Sequence, residues 1–152
     1  MIQKIHLVKD EEEIKQLYEF IKKLPLDYPG YLDWTKKCLR ELQLGYKKAF
    51  IYKPNGHIVA NLIFQKHKKD SKTVELKNGR VEECYQRKKI FTLLYKFVEE
   101  HAKQNGFLKI IGDTHKNNIP VIKTLKELGF EIEAEQSLYE KSKLEIILSK
   151  KL

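Results

Sequence analysis

A chain of 152 residues with 41% hydrophobic side chains is the size of one domain, 1–152, and has material for a core without disulfides or a structural metal. The formal charge of +9 suits an anionic ligand, but the lysines are interleaved with glutamates along the whole chain, which describes a solvated surface more than a nucleic-acid stripe. Cys38 and Cys84 form no C-x-x-C pair, the N-terminus has no signal-peptide pattern, and no apolar run nears the ~20 residues of a membrane span, so a reduced, soluble, cytoplasmic protein is expected.

Residues 2–9 alternate apolar and polar side chains and predict a first strand. Asp10, with Glu13 three residues on, predicts a capped helix whose apolar face is Ile14, Leu17, Tyr18, Ile21 and Leu24. The sequence LPLDYPG breaks it, and a second helix is predicted from Tyr31 to Leu44, burying Leu32, Thr35, Leu39 and Leu42. Strand-like runs at 46–53 and 57–65 flank Pro54-Asn55-Gly56, where Asn-Gly predicts a hairpin with a type I′ turn. After a basic turn at 66–72 comes TVELKNGRV, residues 73–81. It reads either as a hairpin about Asn78-Gly79 or as one strand with Gly79 at or near a bulge.

A third helix over about 88–104 would place Ile90, Leu93, Leu94, Phe97, Val98 and His101 on one face and stop at Asn105-Gly106. FLKIIGD, 107–113, reads as a buried strand. A short helix from Asn118 to Leu128 presents Val121, Ile122, Leu125 and Leu128, and strands at 130–140 and 143–150 close the chain. Gly45, Gly106 and Gly129 each follow a helix and precede an aromatic residue. Each predicts a left-handed C′ position with the aromatic starting the next strand in the core. The order β-α-α-β-β-β-α-β-α-β-β predicts an α/β or α+β domain with a mixed sheet.

Two segments, VELKNGRVEECYQRKKIFTLLYKFVEEHAKQNGF at 74–107 and NNIPVIKTLKELGFE at 117–131, resemble the GNAT superfamily of N-acetyltransferases. The element order extends the likeness over nearly the whole chain. The resemblance implies a mixed central sheet of about seven strands flanked by four helices. It favours one bulged strand at 73–81, because Val81 and Gln86 then take the family's spacing. It implies acetyl-CoA as cosubstrate and no metal, with the pyrophosphate held by Val81, Gln86, Arg87, Lys88, Lys89, Ile90, Phe91 and Thr92, assisted by Asn118. The amides and dipole of a helix N-terminus suit such an anion. The family's two glycines fall here on Lys89 and Phe91, so either cationic side chains replace lost backbone geometry or the loop is degenerate.

For chemistry, the resemblance points to Glu75 as general base. The family's thiolate-donating tyrosine position is occupied by Leu125, which leaves Tyr139 as the candidate for that role. His115, after the buried strand, is a further conceivable base, and Asn118 also reads as a plain N-cap. Acceptor walls are implied at Tyr28, Tyr31 and Trp34. The implied activity is acetyl transfer to an amine, on a small molecule or a peptide, by direct attack on the thioester. The resemblance allows a homodimer. A catalytically inactive GNAT-fold binding module is the alternative, and a basic nucleic-acid-binding protein ranks third. The five histidines form no H-E-x-x-H set, and Cys84 lacks an evident histidine partner.

Overall fold

The computed structural model describes residues 4–25, 29–136 and 144–152. The described chain runs β1 (Ile5–Leu7), α1 (Glu11–Lys23), α2 (Tyr31–Gln43), β2 (Lys47–Tyr52), β3 (Ala60–Lys66), β4 (Thr73–Val81), α3 (Ile90–Gln104), β5 (Lys109–His115), α4 (Ile119–Glu127), β6 (Glu131–Gln136) and β7 (Glu145–Lys151). The strands form one sheet in the order β1-β2-β3-β4-β5-β7-β6, antiparallel except for the β4–β5 pair. The predicted order and fold class hold.

Strand alternation sends side chains to two faces. Phe50, Leu62, Phe64, Val74, Ile110, Ile146 and Leu148 meet α3 and α4 in the larger core cluster. Ala49, Ile51 and Ile63 meet Leu17, Phe20, Ile21, Cys38 and Leu42 of α1 and α2 on the other face. The Asp10 cap forms as predicted, its Oδ1 accepting from the Glu13 N–H at 2.9 Å. The Glu13 carboxylate, instead of closing the box onto Asp10, accepts from the Lys9 N–H and from His6.

Several sequence expectations fail in instructive places. In α2, Leu32 is 62% exposed and Leu39 only half-buried, while Cys38 fills the core position, so the predicted stripe is rotated about the helix axis. Burial pushes the Cys38 thiol up to about 12. Of the aromatics that follow the three helix-stopping glycines, Phe130 is buried, Phe107 half-buried and Tyr46 68% exposed. The glycines themselves all take positive φ. The β2–β3 turn is not type I′: among the described residues Gly56 has φ +81° but Asn55 is not left-handed. Residues 73–81 form one strand, and its bulge lies at Lys77, between the pairs Phe64–Leu76 and Ile63–Asn78, two residues before Gly79.

Candidate active site

The parallel pairing of β4 with β5 is short. Thr73, Val74 and Glu75 face Lys109, Ile110 and Ile111, and there the pairing stops although β4 runs on to Val81 and β5 to His115. The extra residue at Lys77 bends β4 at this point. Beyond the fork opens a cavity of about 1060 Å³, at the upper end of small-molecule sites. Glu75 to Val81 line one wall and Gly112 to His115 the other, with the start of α3 at one end and Trp34 and Lys37 of α2 at the other.

The start of α3 is built by two residues in left-handed backbone. Arg87 has φ +62° and Lys89, the N-cap, φ +64°. A side chain in that region costs about 1–2 kcal/mol. Lys89 therefore takes a backbone shape that glycine adopts without strain, at a position where the resemblance puts a glycine. Its side chain makes no cap hydrogen bond, and the first intrahelical bond recorded across the cap is Leu93 N–H to Lys89 O at 3.1 Å. The amides of Ile90, Phe91 and Thr92 precede that bond at the cavity wall, as the opening turn of a helix requires. Gln86 braces the loop, its Nε2 donating to Val81 O at 2.9 Å.

Phe91 occupies the second glycine position, and its ring turns onto the sheet. A Cβ added at Gly79 would lie 2.7 Å from Phe91 Cε2, so the ring covers the bare Gly79 backbone beside Leu62. It packs against the α3-side core, as well as lining the cavity. Lys88 does not line the cavity; its Nζ stands 5.7 Å from the Tyr85 ring centre.

On the α1–α2 face, Glu75 accepts from Gln65 Nε2 at 3.2 Å and pairs with Lys77 at 3.5 Å. Across the fork, His115 Nδ1 lies 2.7 Å from Glu145 Oε1, whose side chain is 3% exposed. The two are direct cross-strand partners, and both line the cavity. Trp34 lines it too, stacked on Tyr31 at 5.9 Å between ring centres. Tyr31 itself is buried and does not line the cavity: its hydroxyl donates to Ile21 O at 2.8 Å and accepts from Asn78 Nδ2 at 3.3 Å. Burial raises its pKa. Asn118 caps α4, Oδ1 accepting from Val121 N–H at 3.4 Å, and also reaches the cavity, while Leu125 is buried. Tyr28 and Tyr139 lie outside the described residues.

The model of the acetyltransferase (GNAT) domain matches residues 4–147. The chain belongs to the GNAT acetyltransferase family. Among curated proteins it is 27% identical over 103 residues to the Xenopus tropicalis protein named Probable N-acetyltransferase 14, covering 65% of the chain and 50% of that protein. The chain thus spans half the length of this curated relative. Among solved structures, a protein classed with the GNAT family from Desulfovibrio desulfuricans superposes with a TM-score of 0.82 at 12% identity, covering 97% of this chain and 98% of that one. The ribosomal-protein-S18-alanine N-acetyltransferase of Escherichia coli gives 0.78 at 18% identity, with 97% and 93% covered. At such identities these two structures speak for the GNAT fold alone.

Sequence reasoning missed Glu145 and Arg80 in this GNAT cavity. Glu145 leads the apolar run EIIL, where a lone acid in a strand was a readable signal. Pairing it with His115 needed the β5–β7 register.

Proposed function

We propose that the chain is an acetyl-CoA-dependent N-acetyltransferase. The observation that carries this reading is the left-handed, uncapped start of α3 opening onto the forked strands. Its amides, with Lys89 and Arg87 beside them, suit a diphosphate, and the fork suits a narrow chain running on to Glu75. These features fit the cosubstrate the family uses. Phe91 is compatible because its ring is spent on Gly79.

Bound there, acetyl-CoA supplies a thioester whose carbonyl carbon the acceptor amine attacks, forming the C–N bond as the C–S bond breaks. Gln86 and Val81 hold the loop, and the α3 amides orient the cosubstrate. Glu75 takes the proton from the acceptor ammonium, with Gln65 and Lys77 fixing its carboxylate. His115 with Glu145 is a second acid–base pair on the same cavity. Trp34 forms part of the acceptor wall, and Tyr139 remains the proposed donor to the departing thiolate. Small amines and peptide amines both fit the description. The whole chain, 1–152, is read as one catalytic domain.

Thermal unfolding with acetyl-CoA or CoA tests this, since a ligand that binds only the native state raises the melting temperature. The reading predicts a saturable rise, loss of the rise in Lys89→Glu, and CoA release when amines are added. No rise at millimolar ligand would instead support an inactive GNAT-fold module, which the buried Leu125 in the tyrosine position favours.

A further inference from the structure

Arg80 lies on the cavity wall of β4, three residues after the bulge. Its Cα partner is Asn61, whose amide bonds Asn78, and Asn78 in turn bonds Tyr31 of α2. This chain of contacts puts Arg80 beside the α1–α2 face, on the side of Glu75 and Trp34. Its Nε is shut away from solvent and unpaired, as is Oδ1 of Asn61 opposite, so the outer Nη atoms are the donors that a ligand in the cavity can meet. Unpaired guanidinium donors on a cavity wall suit an anion, through charge-assisted hydrogen bonds.

The neighbouring charges do not pair with Arg80. Lys47 is paired with Glu41 at 3.0 Å and Lys77 with Glu75 at 3.5 Å, all four of them lining the cavity. Among the described residues, Arg80 and Lys37, also on the cavity wall, have no carboxylate within ion-pair distance. Arg80 and Lys37 thus stand unneutralised next to an aromatic wall, Trp34, in a cavity that Lys68 and Lys69 also line. A planar fork of N–H donors selects a carboxylate in particular, because two parallel hydrogen bonds can form.

We infer that the acceptor is an amino carboxylate, its amine presented at the fork and its carboxylate bound by Arg80 with help from Lys37. This rests on the acetyltransferase reading for the amine, but the anion site stands on the geometry of Arg80 alone. The phosphates of the cosubstrate are a different anion, and they belong at Arg87 and Lys89 at the α3 end.

The probes are ω-amino carboxylates from glycine to 6-aminohexanoate and their primary carboxamides. Acetylation is followed by CoA release, and binding of each probe to the CoA-saturated protein by calorimetry. For the best spacer, the carboxylate should exceed its carboxamide at least tenfold in kcat/KM and in affinity. Arg80→Gln should bring both ratios near one, chiefly through KM, leaving the carboxamide and the CoA-induced melting shift unchanged. Arg80→Lys should retain an intermediate preference, and it replaces Arg80→Gln as the decisive variant if that protein does not fold. Equal handling of carboxylate and carboxamide by the unsubstituted protein overturns the inference, as does a CoA shift lost in either variant. Preferential carboxylate binding without any acetylation would keep the anion site and overturn the enzyme reading instead.

Discussion

The Phe91 ring lies on Gly79 so closely that a methyl group there would sit 2.7 Å from Cε2. The helix residue that replaces a loop glycine is thus matched by a glycine in the strand beneath it. Gly79→Ala should cost about 1–3 kcal/mol, as overpacking does, and lower the melting temperature by roughly 2–4 °C per kcal/mol. Phe91→Ala removes the clash, so the double variant should be less destabilised than the sum of the single changes. Strict additivity in denaturant unfolding would show that the two side chains do not compete for this space.

Lys89 holds φ +64°. Lys89→Gly should stabilise the fold by about 0.5–1 kcal/mol, the strain relieved being partly offset by glycine's larger entropy loss. It should also weaken CoA binding only mildly, since the amides remain while one charge is lost. A binding loss as complete as that of Lys89→Glu would mean that the ammonium group, not the helix end, does the gripping.

Two candidate bases flank the fork, and substitution separates them. Glu75→Gln is expected to reduce kcat/KM about 100-fold or more, the usual scale for a general base, with the CoA-induced melting shift intact. His115→Gln should stay within a few-fold. The opposite ranking in steady-state assays would transfer the role to the His115–Glu145 pair.

His101 packs against Phe64 and Phe50, with ring centres 5.4 and 6.0 Å away. Burial lowers its pKa below the ordinary 6.5, and the charge of Lys48 lowers it further. The unfolded chain then binds the proton at a pH where the native one does not. The contribution of neutral His101 is complete above about pH 6.5 and is lost as pH falls toward its native pKa. Urea midpoints should drop between pH 7.5 and 5.5, and less so in His101→Gln. Parallel pH profiles for the two proteins would refute this assignment.

Element order was legible because it rests on local rules: a cap at Asp10, glycine stops at 45, 106 and 129, and alternation in the strands. The face of α2 was less so. Its 13 residues carry apolar groups at Leu32, Leu39 and Cys38, and only packing against α1 and the sheet decides which of them turns inward. The α3 end of the cavity could be read from spacing within one stretch, Val81 to Thr92. Of the opposite end only Glu75 and Trp34 could be read. Arg80 takes its place opposite Asn61, and Glu145 opposite His115, through strand register, which composition does not encode. The turn at Asn55-Gly56 failed for another reason: the β2–β3 loop spans Lys53 to Val59, longer than a two-residue turn, and relieves Asn55 of positive φ.

Where β4 parts from β5, only the pairs Thr73–Lys109, Val74–Ile110 and Glu75–Ile111 carry backbone continuity between the two halves of the sheet. That seam is as short as the edge pairing of β1 with β2 and shorter than every other pairing of the described strands. A molecule wedged into it would act as a strut, so amide hydrogens flanking the seam, rather than those of the outer strands, are where occupancy would be felt first.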